Sequence, residues 1–171
     1  SAITEDLPEL SFAGQQDTFL NIIGEEQLLR TIVDCWSSLW TARAISYRMR
    51  NAIPHEQAAL AVIVQRMVMS EISGVLFTVN PLTGLLNEMV IDATFGLGEP
   101  LVSGQVEPDH YVVDAISGKI RTVQLGTKAT LARGKADGGV EYFHGEAAQN
   151  QTLQEKQINQ LVIAGQKIQS E

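Results

Sequence analysis

Near residue 58 the apolar pattern of this chain changes period, and that change constrains the fold more than any other feature. Before it, Leu28, Leu29, Ile32, Val33, Trp36, Leu39 and Trp40 recur at the three- and four-residue spacing of an amphipathic helix, predicted over Glu25–Trp40. Glu25 and Glu26 fall in its first turn, where carboxylates suit the helix dipole. A second helix is predicted over Thr41–Asn51, carrying Arg43, Arg48 and Arg50 and stopping before Pro54. After the change, Ala58–Val64 is an unbroken apolar run, and the Val- and Ile-rich segment Ala59–Met69 reads as a strand buried on both faces.

Further strands are predicted over Gly74–Val79 and Glu88–Phe95, separated by the turn Asn80-Pro81-Leu82-Thr83-Gly84. Gly96-Leu97-Gly98-Glu99 reads as a tight turn leading to a short helix or loop that ends at Gly104. His110–Ala115 and Lys119–Leu125 flank Ser117-Gly118, a hairpin signal. Residues 134–151 read as a loop plus an edge strand, and Leu153–Ile168 as a closing helix. Thr18–Ile23 reads as a short strand after a loop over residues 1–17. Helices, then a mostly antiparallel sheet, then a helix make an α+β chain, helical to about residue 55 and sheet-rich from about 56 to 171.

Composition narrows the function. With 44% hydrophobic residues the chain can bury a core, so global disorder is excluded. A net charge of −8 argues against sequence-independent nucleic-acid binding and against an anionic membrane surface. The apolar run at Ala58–Val64 is too short to span a bilayer. The single cysteine, Cys35, excludes an internal disulfide and fits a reduced, cytoplasmic setting; among its apolar neighbours it reads as a buried structural thiol. The start Ser-Ala-Ile-Thr reads as that of an excised domain.

Taken singly, the motifs are weak. Gly14, in Phe12–Thr18, would let backbone amides approach a phosphate, but an ordinary turn explains it as well. Val64–Val68 ends the predicted strand, where unpaired amides and carbonyls could meet an adenine edge with Met67 on its face; alone, Met67 reads as core filler and Gln65 as a solvated strand end. Glu88, Asp92 and Glu99 are within reach of a Mg²⁺ site on paper, and Glu88, Val90 and Asp92 share one face of a regular strand; solvent exposure is the ordinary alternative. His55, His110 and His144 lack metal-ligand spacing, and none is assigned as nucleophile or ligand.

In order, however, these segments carry more weight. Thr4–Pro8, Ser11–Thr18, Arg43–Arg48, Val64–Val68, Gly74–Thr78 with Asn80–Gly84, and Gly96–Gly104 form a series that resembles the N-terminal domain family of phosphoenolpyruvate synthases and pyruvate phosphate dikinases, which includes rifampin phosphotransferases. The resemblance implies a partial ATP-grasp fold over residues 1–171, ATP and Mg²⁺ as ligands, and a parent enzyme that phosphorylates a mobile histidine domain and then an acceptor, giving AMP and phosphate. It places Gln65 and Met67 at the adenine and Gly14, Gln15 and Gln16 on the loop covering the phosphates. It assigns no catalytic residue here, and Glu88 and Asp92 stay metal candidates on their own spacing alone.

The chain departs from the family pattern in having Ile3 and Thr4 where the family has Thr and Ala. The family's Arg before this start, a Lys further upstream, and its later metal-binding Glu and phosphate-binding Arg are not in the sequence, so the isolated chain is expected to bind ATP weakly or undetectably and not to turn over. The Gly126-Thr127-Lys128 stretch and the Gly138-Gly139 loop lean toward the rifampin branch. The reading from another class is a non-catalytic binding or regulatory module of ATP-grasp shape.

Overall fold

The computed structural model describes residues 17–145 and 149–170. Chain contacts divide it into two compact units: one runs to Val68 and takes in Lys135–Gly139, and the other comprises Met69–Gly134 and Val140 onward.

In the first unit, α1 covers Glu25–Ser37 and runs into a 3-10 turn at Ser38–Trp40. Gly24, at φ 86°, opens α1, and Glu25 and Glu26 occupy its first turn as expected. The apolar stripe is only half covered: Leu28, Ile32 and Cys35 are half-buried, whereas Leu29, Val33, Trp36 and Trp40 stay exposed. Cys35 is therefore less enclosed than the sequence suggests, though burial is the main cause that raises its thiol pKa above the ordinary value. Helix α2 covers Ala42–Arg50 and is capped by Thr41, whose Oγ1 accepts from Ala44 N at 3.3 Å. Arg48 is buried; its Nε donates to His55 Nδ1 at 3.0 Å and its guanidinium lies 5.4 Å from the Trp40 ring centroid.

Two predicted strands are absent from this unit. Thr18–Ile23 is irregular, because Asn21 adopts φ 55°, a left-handed conformation that breaks an extended run. Residues 61–70 belong to no strand, and Ile63, Val64 and Val68 are exposed. Val and Ile favour a strand only where neighbouring strands cover them, and none of the described strands lies against this segment. Just before the segment, Trp36 Nε1 donates to Leu60 O at 3.2 Å.

The second unit holds a four-stranded antiparallel sheet in the order β1 (Ile72–Phe77), β2 (Glu88–Phe95), β3 (Asp109–Asp114), β4 (Ile120–Gln124). Register places Ile91 beside Leu76 and Tyr111, so Met89, Ile91, Ala93, Tyr111 and Val113 form one apolar face. Helix α4 (Glu155–Gln169) covers it with Ile158 and Val162, each side chain contributing about 1.5–3 kcal/mol on burial. Gly165 allows the close approach: a Cβ there would lie 2.9 Å from Met89 Sδ and 3.0 Å from Leu76 Cδ2. The α+β reading with an antiparallel sheet and flanking helices is what the structure has.

A separate hairpin follows, β5 (Thr130–Gly134) with β6 (Val140–His144). The sequence predicts an edge strand within residues 134–151 but not β5, whose Thr-Leu-Ala-Arg-Gly carries little β signal. Gly96 joins the hairpin to the larger sheet through an isolated parallel bridge to Ala132, and Leu97 N donates to Ala132 O at 2.9 Å. The short helix predicted after Gly98 is α3, Glu99–Val102.

Candidate functional site

Gln65 and Met67 lie in the first unit, on the irregular segment that leads to Met69. Gln65 and Arg66 are exposed and Met67 is half-buried. Among the described residues, the backbone groups of Gln65–Val68 make no hydrogen bond, so four consecutive amides and carbonyls are open to a ligand edge. Gly14, Gln15 and Gln16 lie outside the described residues; just after them, Asp17 pairs with Arg43 on α2 at 3.0 Å.

The carboxylates Glu88 and Asp92 lie in the second unit, four residues apart and on the same face of β2 with Val90 between them, as strand alternation requires. Each is already engaged. Glu88 accepts from Asn80 Nδ2 and from Arg121 Nη1, both at 2.7 Å, while Asp92 Oδ1 lies 2.7 Å from His110 Nδ1. Arg121 also bridges to Asp114. Asp114 is held far below the usual carboxylate range by the Ser117 amide and then by Arg121. The third acidic candidate, Glu99, accepts from the Tyr142 hydroxyl at 2.8 Å, a bond that raises the Tyr142 pKa above its ordinary value. Among the described residues no group of three or more His, Cys, Asp or Glu is arranged to hold a metal ion.

The Gly96 turn is a structural joint of close tolerances. Its amide donates to Glu71 O at 2.7 Å, and its carbonyl accepts from Ser70 Oγ at 3.1 Å and Ser73 Oγ at 2.7 Å. At φ 77°, a Cβ on Gly96 would fall 2.4 Å from Ala132 O.

Sequence reading missed the most enclosed charged group, the ion pair between Lys128 and Asp109, both side chains fully buried. Lys128 Nζ also donates to Gly126 O at 2.7 Å. Asp109 accepts further bonds from Gly126 N at 3.0 Å, Thr152 N at 2.7 Å and Thr152 Oγ1 at 2.9 Å. Burial alone would raise the Asp109 pKa, but these donors together outweigh it and hold the carboxyl below its ordinary value. The network ties β3 to the strand-free segment before β5 and to the start of α4. Lys128 figures in the sequence reading only as part of the Gly-Thr-Lys stretch, because nothing local distinguishes a buried lysine from a solvated one.

Beside this network the second unit has an open cleft of about 910 Å³, lined by residues from the approach to β1, the end of β2 and both strands of the β5–β6 hairpin. No helix among the described residues is long and apolar enough to cross a membrane.

Comparison with known proteins places these features in a family. Residues 1–171 match the family described as pyruvate phosphate dikinase, AMP/ATP-binding domain. The rifampicin phosphotransferase of Bacillus cereus is 47% identical over 176 residues, covering 99% of this chain and 20% of that protein. The probable phosphoenolpyruvate synthase of Archaeoglobus fulgidus is 44% identical over 169 residues, covering 98% and 22%. The phosphoenolpyruvate synthase of Pyrococcus furiosus is 42% identical over 176 residues, covering 98% and 22%. The chain thus spans about a fifth of the length of these relatives. With its whole length matched and relatives of both enzyme types at this identity, the chain belongs to the pyruvate phosphate dikinase AMP/ATP-binding domain family.

Proposed function

We propose that this chain is the ATP-binding portion of a phosphotransferase of the phosphoenolpyruvate synthase or rifampicin phosphotransferase kind, built as a partial ATP-grasp domain. The observation that carries the site is the unpaired backbone of Gln65–Val68 beside the half-buried Met67. An adenine edge needs one donor and one acceptor at a fixed spacing, and a backbone free of a strand ladder presents both. Met67 supplies a polarizable surface for the ring face. Gly14, Gln15 and Gln16 would close over the phosphates as a glycine-bearing loop.

In the parent enzyme the bound ATP would donate a phosphoryl group to a histidine on a mobile domain, which then passes it to an acceptor, leaving AMP and phosphate. No residue of this chain is assigned to that chemistry.

Magnesium is a separate matter. Glu88 and Asp92 do not fit a Mg²⁺ site as they stand, because Glu88 already faces the Arg121 guanidinium and Asp92 faces His110. A hard cation needs carboxylate oxygens that are not already committed to another partner. No metal role is drawn for either residue.

Titration calorimetry of the chain with ATP, AMP and GTP tests the nucleotide reading. Adenine nucleotides should bind in preference to GTP, and Met67→Glu should weaken them by more than about tenfold, or 1.4 kcal/mol. Unchanged ATP affinity in a folded Met67→Glu protein would refute the assignment of the adenine to this segment.

A further inference from the structure

We propose that the cleft of the second unit is a separate binding site for a small organic anion with an apolar body and a single negative charge. This inference is independent of the nucleotide reading. The cleft's volume, about 910 Å³, lies within the range of roughly 300–1,000 Å³ common to small-molecule sites. Its walls include Met69, Phe95, Leu131 and Phe143, with Met69 and Phe143 substantially exposed. Such side chains favour a bulky or planar apolar ligand.

The polar groups at the walls then limit what that ligand carries. The backbone at the rim is largely spent: the amides of Gly96, Leu97 and Gly145 donate to Glu71, Ala132 and Ala129 carbonyls. His144 Nδ1 lies 3.3 Å from Thr130 Oγ1. The Lys128 ammonium is buried against Asp109. What is left is Arg133, an exposed guanidinium on β5. Glu141 stands opposite it in the hairpin register, yet Arg133 forms no ion pair or side-chain hydrogen bond among the described residues. An unpaired guanidinium at an apolar wall is suited to a carboxylate, sulfonate or phosphate monoester.

The same inventory argues against a polyphosphate here. Arg133 is the cationic side chain with its charge unspent at this cleft, and the acidic residue Glu71 also lies at its edge. A tri- or tetra-anion would face one cation and one like charge.

The test is a fluorescence titration of the whole chain with 1-anilinonaphthalene-8-sulfonate, an aromatic monoanion, beside its neutral analogue N-phenyl-1-naphthylamine. One-to-one binding is expected. Arg133→Gln should weaken the sulfonate about tenfold, Arg30→Gln on α1 should leave it unchanged, and the neutral analogue should bind at least about tenfold more weakly. Arg133 is exposed, so its substitution should leave the fold intact, which the dispersion of the amide spectrum checks. Sulfonate affinity unaffected by Arg133→Gln, or equal affinity for the neutral analogue, overturns the proposal. Stoichiometric displacement by an ATP analogue also overturns it, since the cleft would then belong to the nucleotide; failure of ATP to bind anywhere would sink only the nucleotide reading.

Discussion

Asn21 holds the tip of the β5–β6 hairpin through both of its flanking carbonyls: its Nδ2 lies 2.8 Å from Lys135 O and 2.8 Å from Gly139 O. The Asn21 carbonyl in turn accepts from Gly139 N at 2.9 Å. The side chain reaches this position because Asn21, at φ 55°, takes a left-handed conformation that asparagine tolerates better than most residues. A residue 114 positions away in sequence from Lys135 therefore sets the order of the hairpin tip.

Replacing Asn21 separates its two contributions. Asn21→Gly keeps the backbone conformation and loses the two side-chain bonds, at a cost of about 1–2 kcal/mol. Asn21→Ala loses the bonds and adds the left-handed strain, about 1 kcal/mol more. In both variants amide hydrogen exchange at Gly138 and Gly139 should accelerate before that of β2. Protection at these glycines equal to the wild type in both variants would mean that the clamp does not order the tip.

Gly96 should not tolerate a side chain. Gly96→Ala places a methyl group 2.4 Å from Ala132 O and 2.5 Å from Leu131 Cδ1, at φ 77°. Strain and collision together should cost at least about 2 kcal/mol in urea denaturation. Gly84, also at positive φ but with open space around it, is the control: Gly84→Ala should cost about 1 kcal/mol from conformation alone. Equal losses at the two positions would show that the Gly96–Ala132 contact yields freely.

The buried Asp109–Lys128 pair gives the chain an acid-sensitive element. The folded-state pKa of Asp109 lies below its ordinary value of 3.8. Its contribution to stability is therefore complete above the unfolded-state pKa and is lost as pH falls below about 4 toward the folded-state value. Asp109→Asn should flatten that part of the stability curve, measured by denaturation between pH 6 and pH 3. Lys128→Met leaves a buried carboxylate without its counter-charge and should cost about 3–5 kcal/mol at pH 7. A neutral effect of Lys128→Met would show that the amide and hydroxyl donors alone satisfy Asp109.

The sequence carries the local structure well where periodicity and burial agree. β2 matches its predicted bounds, Glu88–Phe95, and α2 starts at its Thr41 cap because capping is a local property. The segment at residues 61–70 misleads because its Val and Ile content reports a preference for covered, paired surroundings that the described residues do not supply. β5 hides because its Thr-Leu-Ala-Arg-Gly carries little β preference of its own and is ordered by pairing with β6. At the site, Gln65 and Met67 come from family likeness, and composition would have read both as unremarkable. The buried Lys128 and the unpaired Arg133 depend on which distant groups surround them, and no spacing in the sequence records that.

On the function proposed above, Gln65–Val68 receives the adenine. Titration of the isotope-labelled chain with a non-hydrolysable ATP analogue, followed by residue-resolved NMR, tests it most directly. Saturable shifts are expected at Gln65–Val68 and at Gly14–Gln16, with the Arg133 cleft unmoved. Saturable binding that leaves Gln65–Val68 unshifted, with the changes gathered at Phe95, Leu131 and Phe143 instead, would contradict it.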